Sequence, residues 1–438
     1  MQRKLFFAFF VGLISSNVFS QDVLEKPEAV AIALENNFDI RAAKNNLEIA
    51  ENNSEITNSG YLPSFSGSGG ANYSKNNSDI TRQDGESQTI TGVETKRYNA
   101  GLAMDYLVFN GLGRRYSYEK LKESYSLTDL QARSVMENTL INIFNSYYEI
   151  ARLTQNAINQ SQTLDISRDR LLRSRYSFDY GQSTQLDVLN AEVDYNNDSI
   201  NYLTITQQLK NEKHNLNLLL GRPVETVFEV DTTLAFTSNL TMEGLASNAR
   251  SRNVTILQQQ GNLRNATNDI RIEGSNMLPR VGVNAQYNWQ NNDFGPAGFL
   301  AQQVNTGYTL GASLTWNIWD GGLTSTRKQN SRIQYENQQI ALEQTQLNLE
   351  RNVSNAWTVY QTALFVMDAQ RTNLTTTQRN FDRTQEQYSL GQVTSIEFRQ
   401  AQFNLLNAQL SYNQARYAAK NAELALLQLS GDILNAQF

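Results

Sequence analysis

The sequence predicts an α+β membrane chain built from two tandem copies of one unit, each copy holding a pair of strands between long helices. Three observations carry that prediction. The stretch "GYTLGASLTWNIWDGG", Gly307 to Gly322, alternates apolar and polar residues along its length. The punctuation of the chain recurs at an offset of 210 residues, so that Gly111 falls on Gly321. Two proline-free stretches, Leu112 to Phe178 and Leu323 to Ser389, follow the alternating segments and are long enough for helices on the order of 100 Å.

Composition narrows the class before any element is placed. Only 40% of the 438 residues are apolar and 18% are charged, a poor supply for a packed enzyme core. The net charge of −6 offers no phosphate-binding surface, so nucleic acid is not an expected partner. There is no cysteine, which excludes disulfides and thiolate metal sites, and His214 is the only histidine. No Gly-rich phosphate loop, nucleophile elbow or HExxH pattern is present, so catalysis, cofactor binding and metal binding are not expected.

Residues 1–20 read as a signal peptide. Arg3 and Lys4 are basic, Leu5 to Ile14 is apolar, and small residues precede a cut ahead of Gln21. The apolar run is too short for an anchor, and nothing beyond it is long enough to span a bilayer as a helix. A secreted chain of this kind is either soluble outside the cytoplasm or crosses a membrane as strands.

The first copy, 21–225, opens with a helix. Pro27 suits a first helical position, and Ala31, Leu34, Phe38 and Ile49 mark an apolar face. A hairpin over 61–110 follows. Tyr61, Phe65, Ala71 and Tyr73 are its apolar odd positions, then Tyr98, Ala100, Leu102, Met104, Tyr106 and Val108 its even ones. The second copy, 226–438, repeats this in a hairpin over 279–319, with Val281, Val283, Ala285, Tyr287 and Trp289 before the stretch quoted above. The Asn-, Asp- and Gly-rich connections Lys75 to Lys96 and Gln290 to Asn305 read as loops.

A soluble sandwich would also alternate. However, the strands are too few, long helices flank each hairpin, and aromatic residues bracket the apolar positions: Tyr61, Tyr73, Tyr98, Tyr106, Tyr287, Trp289, Tyr308 and Trp316. An apolar outside with an aromatic belt and a polar inside marks an outer-membrane barrel. Four strands cannot close one, because an open edge in lipid leaves backbone groups unsatisfied, so two or three chains must share it.

Each long helix is followed by a Gly-containing turn and a return helix. In the second return helix one apolar seam runs from Ala401 through Leu405, Ala408 and Ala415 to Leu429. A second, from Phe403 to Leu427, has gaps at Asn413 and Lys420. Two seams imply neighbours on both sides, as in the wall of a tube.

This order, together with "AVAIALENNFDIRAAKNNLEIA" and "LNLLLGRP", resembles the outer membrane efflux protein family, the TolC-type exit ducts. The resemblance covers nearly all of the mature chain. It implies a homotrimer with a twelve-stranded outer-membrane β-barrel, four strands per chain, continued by a periplasmic α-helical barrel. It also implies docking to a periplasmic adaptor fed by an inner-membrane transporter of RND or ABC type. The chain is then a passive exit duct, with a stand-alone diffusion porin or a structural periplasmic coiled-coil protein as the alternatives.

By the same resemblance, the turns at Gly181 and Gly391 are the periplasmic tips, with Gln182, Ser183, Thr184, Gln392, Val393 and Thr394 as adaptor contacts. Asp187 and Glu397 fall where the family narrows its tunnel; three copies of each would repel and attract cations. Here the chain departs from the family pattern. Val393 stands where an arginine can bridge, and Gln400 replaces a second acid, which leaves Arg399 or Arg383 to close the gate.

Overall fold

The computed structural model describes residues 23–81, 83–294 and 300–435. The expected signal peptide lies outside the described residues. In chain order the elements are β1 (Val23–Leu24), α1 (Lys26–Asn36), α2 (Phe38–Ser54), β2 (Ser64–Thr81), β3 (Ser87–Asn110), α3 (Gly113–Asp179) and α4 (Gln185–Leu219). There follow β4 (Glu229–Val230), α5 (Met242–Arg252), α6 (Val254–Ser275), β5 (Arg280–Asp293), β6 (Gln302–Thr315), α7 (Leu323–Ser389) and α8 (Ser395–Ser430). Helices α3 and α7 have 67 residues each and run without a break, as their lack of proline allows. No helix among the described residues is long and apolar enough to cross a membrane.

The chain divides into two interleaved units, one of Met1–Arg41, Val135–Ala249 and Arg351–Phe438, the other of Ala42–Ser134 and Arg250–Glu350. The second unit holds a four-stranded antiparallel sheet in the order β2-β3-β5-β6. Its register puts Phe65, Met104, Ala285 and Leu310 in one row, and Gly67, Leu102, Tyr287 and Tyr308 in the next, all on one face. The opposite face carries rows such as Ser66, Ala103, Gln286 and Thr309. The alternation in the sequence is therefore carried by all four strands. The outer edges of β2 and β6 have no partner strand among the described residues.

The first connection differs from expectation. Lys75 to Lys96 is not a loop: β2 runs on to Thr81 and β3 begins at Ser87, leaving only 82–86 between them. Lys75 Nζ meets Glu94 at 2.9 Å, and hydroxyl pairs Ser74–Thr95 and Thr81–Ser87 stand at 3.2 and 3.0 Å. Cross-strand threonines, isoleucines and ion pairs favour pairing, and they outweigh the turn-like Asn and Gly content. In the second hairpin the strands likewise extend to Asp293 and resume at Gln302, while β6 ends at Thr315, short of the expected 319.

In the first unit, Ile143, Phe144, Tyr147 and Tyr148 of α3 are almost completely buried in one cluster with Ala29 and Ala33 of α1, Leu216 of α4 and its capping residue Leu220, and Tyr417 and Leu424 of α8. The expected apolar face of the opening helix is corrected here. Ala31, Phe38 and Ile49 are exposed, and Ala29, Ala33, Ile40 and Ala43 are buried instead. The buried positions Ala29, Ala33, Asn37, Ile40 and Ala43 follow one stripe at steps of four and three, offset from the expected face already at Ala31. The extended backbone of Asn37 (ψ 133°) splits one expected helix into two. Its Oδ1 accepts from the N–H groups of Asp39 and Ile40, and its Nδ2 donates to Leu219 O at 2.7 Å.

Both seams of α8 are largely covered, except at Phe403. Their polar gaps are filled by partners. Asn413 donates to Asn156 Oδ1 at 2.9 Å. Lys420 donates to Ala235 O at 2.7 Å and pairs with Glu423 at 3.1 Å, both charges fully enclosed.

Candidate functional site

The two helical turns are built by the same pair of local motifs. At the end of α3, Gly181 takes φ +74°, its N–H donates to Phe178 O at 2.8 Å, and Gln182 N–H donates to Ser177 O at 2.7 Å. At the end of α7, Gly391 takes φ +73°, with Gly391 N–H on Tyr388 O and Gln392 N–H on Gln387 O. This crossed pair of bonds closes a helix on a left-handed residue, which glycine adopts without a Cβ clash.

The return helices begin with capping boxes. Thr184 Oγ1 accepts from Asp187 N–H at 3.3 Å, while the Asp187 carboxylate accepts from Thr184 N–H at 3.0 Å. Thr394 and Glu397 repeat the exchange at 3.2 and 2.7 Å. The shared glycine and acid of the two turns thus have a structural account, whereas the exposed glutamines contribute only a backbone N–H that any residue but proline would supply. The glycine closes one helix; the acid, six residues on, opens the next. The backbone N–H of Thr184 and then its hydroxyl hold Asp187 below its ordinary pKa, and Thr394 does the same for Glu397. Within one chain this is the opposite of the rise that crowding of like charges would bring.

The other expected tip residues are distributed as follows. Gln182 and Gln392 are exposed, Ser183 and Val393 are half-buried, and Ser183 Oγ reaches Ser174 O at 3.4 Å. Gln400 is exposed and donates to Asn404 Oδ1, and Arg383 is exposed. Arg399 is drawn inward. Its Nη1 and Nη2 hold both oxygens of buried Asp198 at 2.7 and 3.0 Å, and its Nε lies 3.5 Å from Asp194.

Sequence reasoning missed the rest of this cluster. Arg170, buried on α3, pairs with Asp194 of α4 and reaches Ser395 O of α8 at 3.4 Å. Ser167 bonds to Asp198, and Gln402 donates to Thr163 O at 2.9 Å. Two guanidinium groups thus face two carboxylates where α3, α4 and α8 meet. Beside them Arg173 of α3 lies 4.8 Å from the ring of Tyr388, which stacks on Phe398 at 4.5 Å. The available signals were the i, i+4 pair Asp194 and Asp198 and, some 200 positions on, Arg399 with Gln402, with nothing in the sequence to join them. Such residues look the same in sequence when they face water.

On the sheet, Tyr73 and Tyr98 are exposed near one end of the apolar face, where Tyr73 is opposite Lys96 and Tyr98 opposite Ala71. Tyr287 and Tyr308 face each other two rows further in, with Trp289 beside them. Trp316 lies just past β6 and donates to Met277 O at 3.1 Å. Tyr61 stands before β2, half-buried. Its ring meets Tyr118 edge-on, and with Tyr106 it encloses the guanidinium of Arg114 at 5.0 and 5.5 Å. Arg114 in turn donates to Gly60 O and Val108 O, so it fastens both strands of the first hairpin to the start of α3.

A family model for outer membrane efflux proteins matches residues 29–222 and 245–432. The outer membrane efflux protein BepC of Brucella suis is 22% identical over 403 residues, covering 92% of this chain and 84% of that one. The outer membrane protein TolC of Vibrio cholerae is 20% identical over 308 residues, 70% of each. Among solved structures, the Campylobacter jejuni CmeC outer membrane channel superposes with a TM-score of 0.78 at 15% identity, covering 93% of this chain and 86% of that one. The outer membrane protein VceC of Vibrio cholerae superposes at 0.74 with 16% identity, covering 93% and 96%. With the family model spanning both halves, the chain belongs to the outer membrane efflux protein family and is an efflux channel of the outer membrane.

Proposed function

We propose that three copies of this chain, each a tandem repeat of 21–225 and 226–438, pool their sheets into one twelve-stranded barrel continued by their helices through the periplasm. One observation carries the proposal: a sheet with an apolar face and two unpaired edges. From the row of Val281 to the row of Asn291, which Tyr98 and Val304 keep apolar, the sheet face rises about 34 Å along the strand, or about 25 Å along the axis of a barrel tilted near 40°, the height of an outer-membrane apolar band. In lipid the open edges of β2 and β6 would strand donors and acceptors at several kcal/mol each, and joining β6 of one copy to β2 of the next satisfies both.

Helix surfaces support the same assembly. Ile333, Ile340 and Leu347 of α7 recur every seven residues and are 47%, 63% and 62% exposed in the single chain. Leu186, Leu189, Val193, Ile200 and Leu203 form a similar exposed stripe on α4.

The turns at Gly181 and Gly391 dock a periplasmic adaptor, and an inner-membrane transporter of RND or ABC type supplies the energy. Exposed Tyr180, Leu390 and Ile396 beside the two turns give such a partner apolar surface. Asp187, Glu397 and Gln400 line the narrowed end. Arg399 shapes it from behind by holding α8 to α3 and α4. The test is assembly: the mature protein should require detergent and run as a trimer, and Ile340→Glu should shift it toward smaller species. A wild-type protein that is monomeric and soluble without detergent would overturn the proposal.

A further inference from the structure

We infer that Arg97 is the specificity-determining residue of the barrel lumen, forming a positive ring near its outer end that favours anionic cargo. The inference rests on the three-chain barrel proposed above, in which the polar face of the sheet lines the passage. Arg97 stands on that face, opposite Asn72 on β2 and Asn292 on β5, in the second-to-last row that all four strands share.

The rest of the face is almost without charge. Its rows are Ser, Thr, Asn, Gln, Ala and Gly, and the amides lie flat on the wall. A Cβ at Gly70 would fall 2.8 Å from Asn99 Oδ1, at Gly101 2.7 Å from Asn288 Oδ1, and at Gly311 2.6 Å from Asn284 Oδ1. Each asparagine therefore covers a glycine of a neighbouring strand instead of projecting into the passage. Arg97 stands exposed on this low carpet, with no ion pair among the described residues.

The other charges near it do not cancel its field. Asp105 shares the face but lies eight residues along β3, about 27 Å away. Arg280, at the far end of β5, is bonded to Asn276 Oδ1 and has the same sign as Arg97. Lys96, Glu94, Lys75 and Asp293 belong to the opposite face, where Lys75 and Glu94 pair at 2.9 Å and Asp293 stands opposite Lys96. Asp79, Asp84 and Glu86 lie farther out on the first hairpin, beyond the screening length of about 8 Å at physiological salt. Three copies of Arg97 thus leave an uncompensated positive ring.

The absence of native cysteine permits a local probe. In Asn72→Cys, with the thiol opposite Arg97, the rates of reaction with a sulfonate-bearing and a trimethylammonium-bearing methanethiosulfonate are compared in outer-membrane vesicles. Taking their ratio cancels any change in thiolate fraction. Arg97→Gln should lower the sulfonate-to-ammonium ratio about twofold at 0.15 M salt, and more at low salt; Arg97→Glu should lower it further. Gln303→Cys, in the same row, provides a second sensor should the first fail to assemble. A ratio indifferent to Arg97 and to salt would overturn the inference. Leu102→Cys on the apolar face is the control for the barrel itself. If it reacts while Asn72→Cys and Gln303→Cys do not, the barrel proposal fails instead.

Discussion

Thr184 and Thr394 do at the scale of single residues what the turns require of them: each starts a helix by exchanging hydrogen bonds with the acid three residues on. Replacing Thr184 by alanine should cost about 1 kcal/mol of local stability. The boxes also carry a pH dependence of defined sign. The pKa values of Asp187 and Glu397 are depressed in the folded chain, so their contribution is complete above the unfolded values and is lost as pH falls through the folded ones. Amide exchange at the turns, followed by mass spectrometry, should accelerate in the acid range below about pH 4 and should lose that step in Thr184→Ala/Thr394→Ala. Deeper in, Asp198 is 2% exposed and held by Arg399. Asp198→Ala should destabilise the first unit by about 3 kcal/mol, because it leaves the partly buried Arg399 guanidinium with only its longer contact to Asp194 among carboxylates. Asp198→Leu combined with Arg399→Met should cost less than the single change, as thermal unfolding in detergent would show. The spacing Thr-x-x-acid is a signal for the box that the reading of Thr184 and Thr394 as adaptor contacts passed over. The ion cluster was not legible, since Arg399 and Asp198 are 201 positions apart and sequence holds no trace of which charges meet.

Elements were easier to anticipate than their ends. Period-two alternation located all four strands, because a sheet with one apolar face imposes it, and the proline-free runs located the long helices. Boundaries failed where one side chain or a weak local preference decided them. Asn37 splits the opening helix, and serines and threonines prolong the first hairpin where asparagines suggested a loop. The glycines that end helices separate into two kinds. At Gly221, φ is +68° and a Cβ would lie 2.3 Å from the carbonyl oxygen of Asn36, so both conformation and space demand glycine. At Gly181, φ is +74° and nothing stands within 4 Å of the Cβ position, so only the conformation does. Gly221→Ala should therefore cost more than about 2 kcal/mol and reduce the yield of folded protein, whereas Gly181→Asn should fold normally. An export defect in Gly181→Asn, with trimer yield unchanged, would then report on docking at the turn; normal export would remove Gly181 from the docking surface.

The whole molecule was legible as a class before any coordinate. Its composition is poor in the apolar residues of a packed core, and its alternating ribbons pointed to the outer membrane, which the family match bears out. What a single chain hides is everything made by symmetry. The exposed stripes of α4 and α7 look like defects in one chain and would be covered by a second copy in the proposed trimer, and a lone exposed Glu397 gives no sign of a ring. At this scale Glu397→Gln should reduce the cation preference of the trimer in single-channel recordings while leaving its assembly intact; unchanged selectivity and conductance would remove Glu397 from the constriction. A last consequence follows from the unequal hairpins. Pairing of β2 with β3 continues to Thr81 and Ser87, while β5 and β6 stop level with Lys96. Eight residues of β2 beyond Tyr73 rise about 26 Å, so the mouth of a three-chain cylinder would resemble a crown of three tall posts with low gaps between them. Material emerging from such a crown can leave sideways as well as upward, and an epitope placed at the crest of a post would be displayed to antibodies on intact cells.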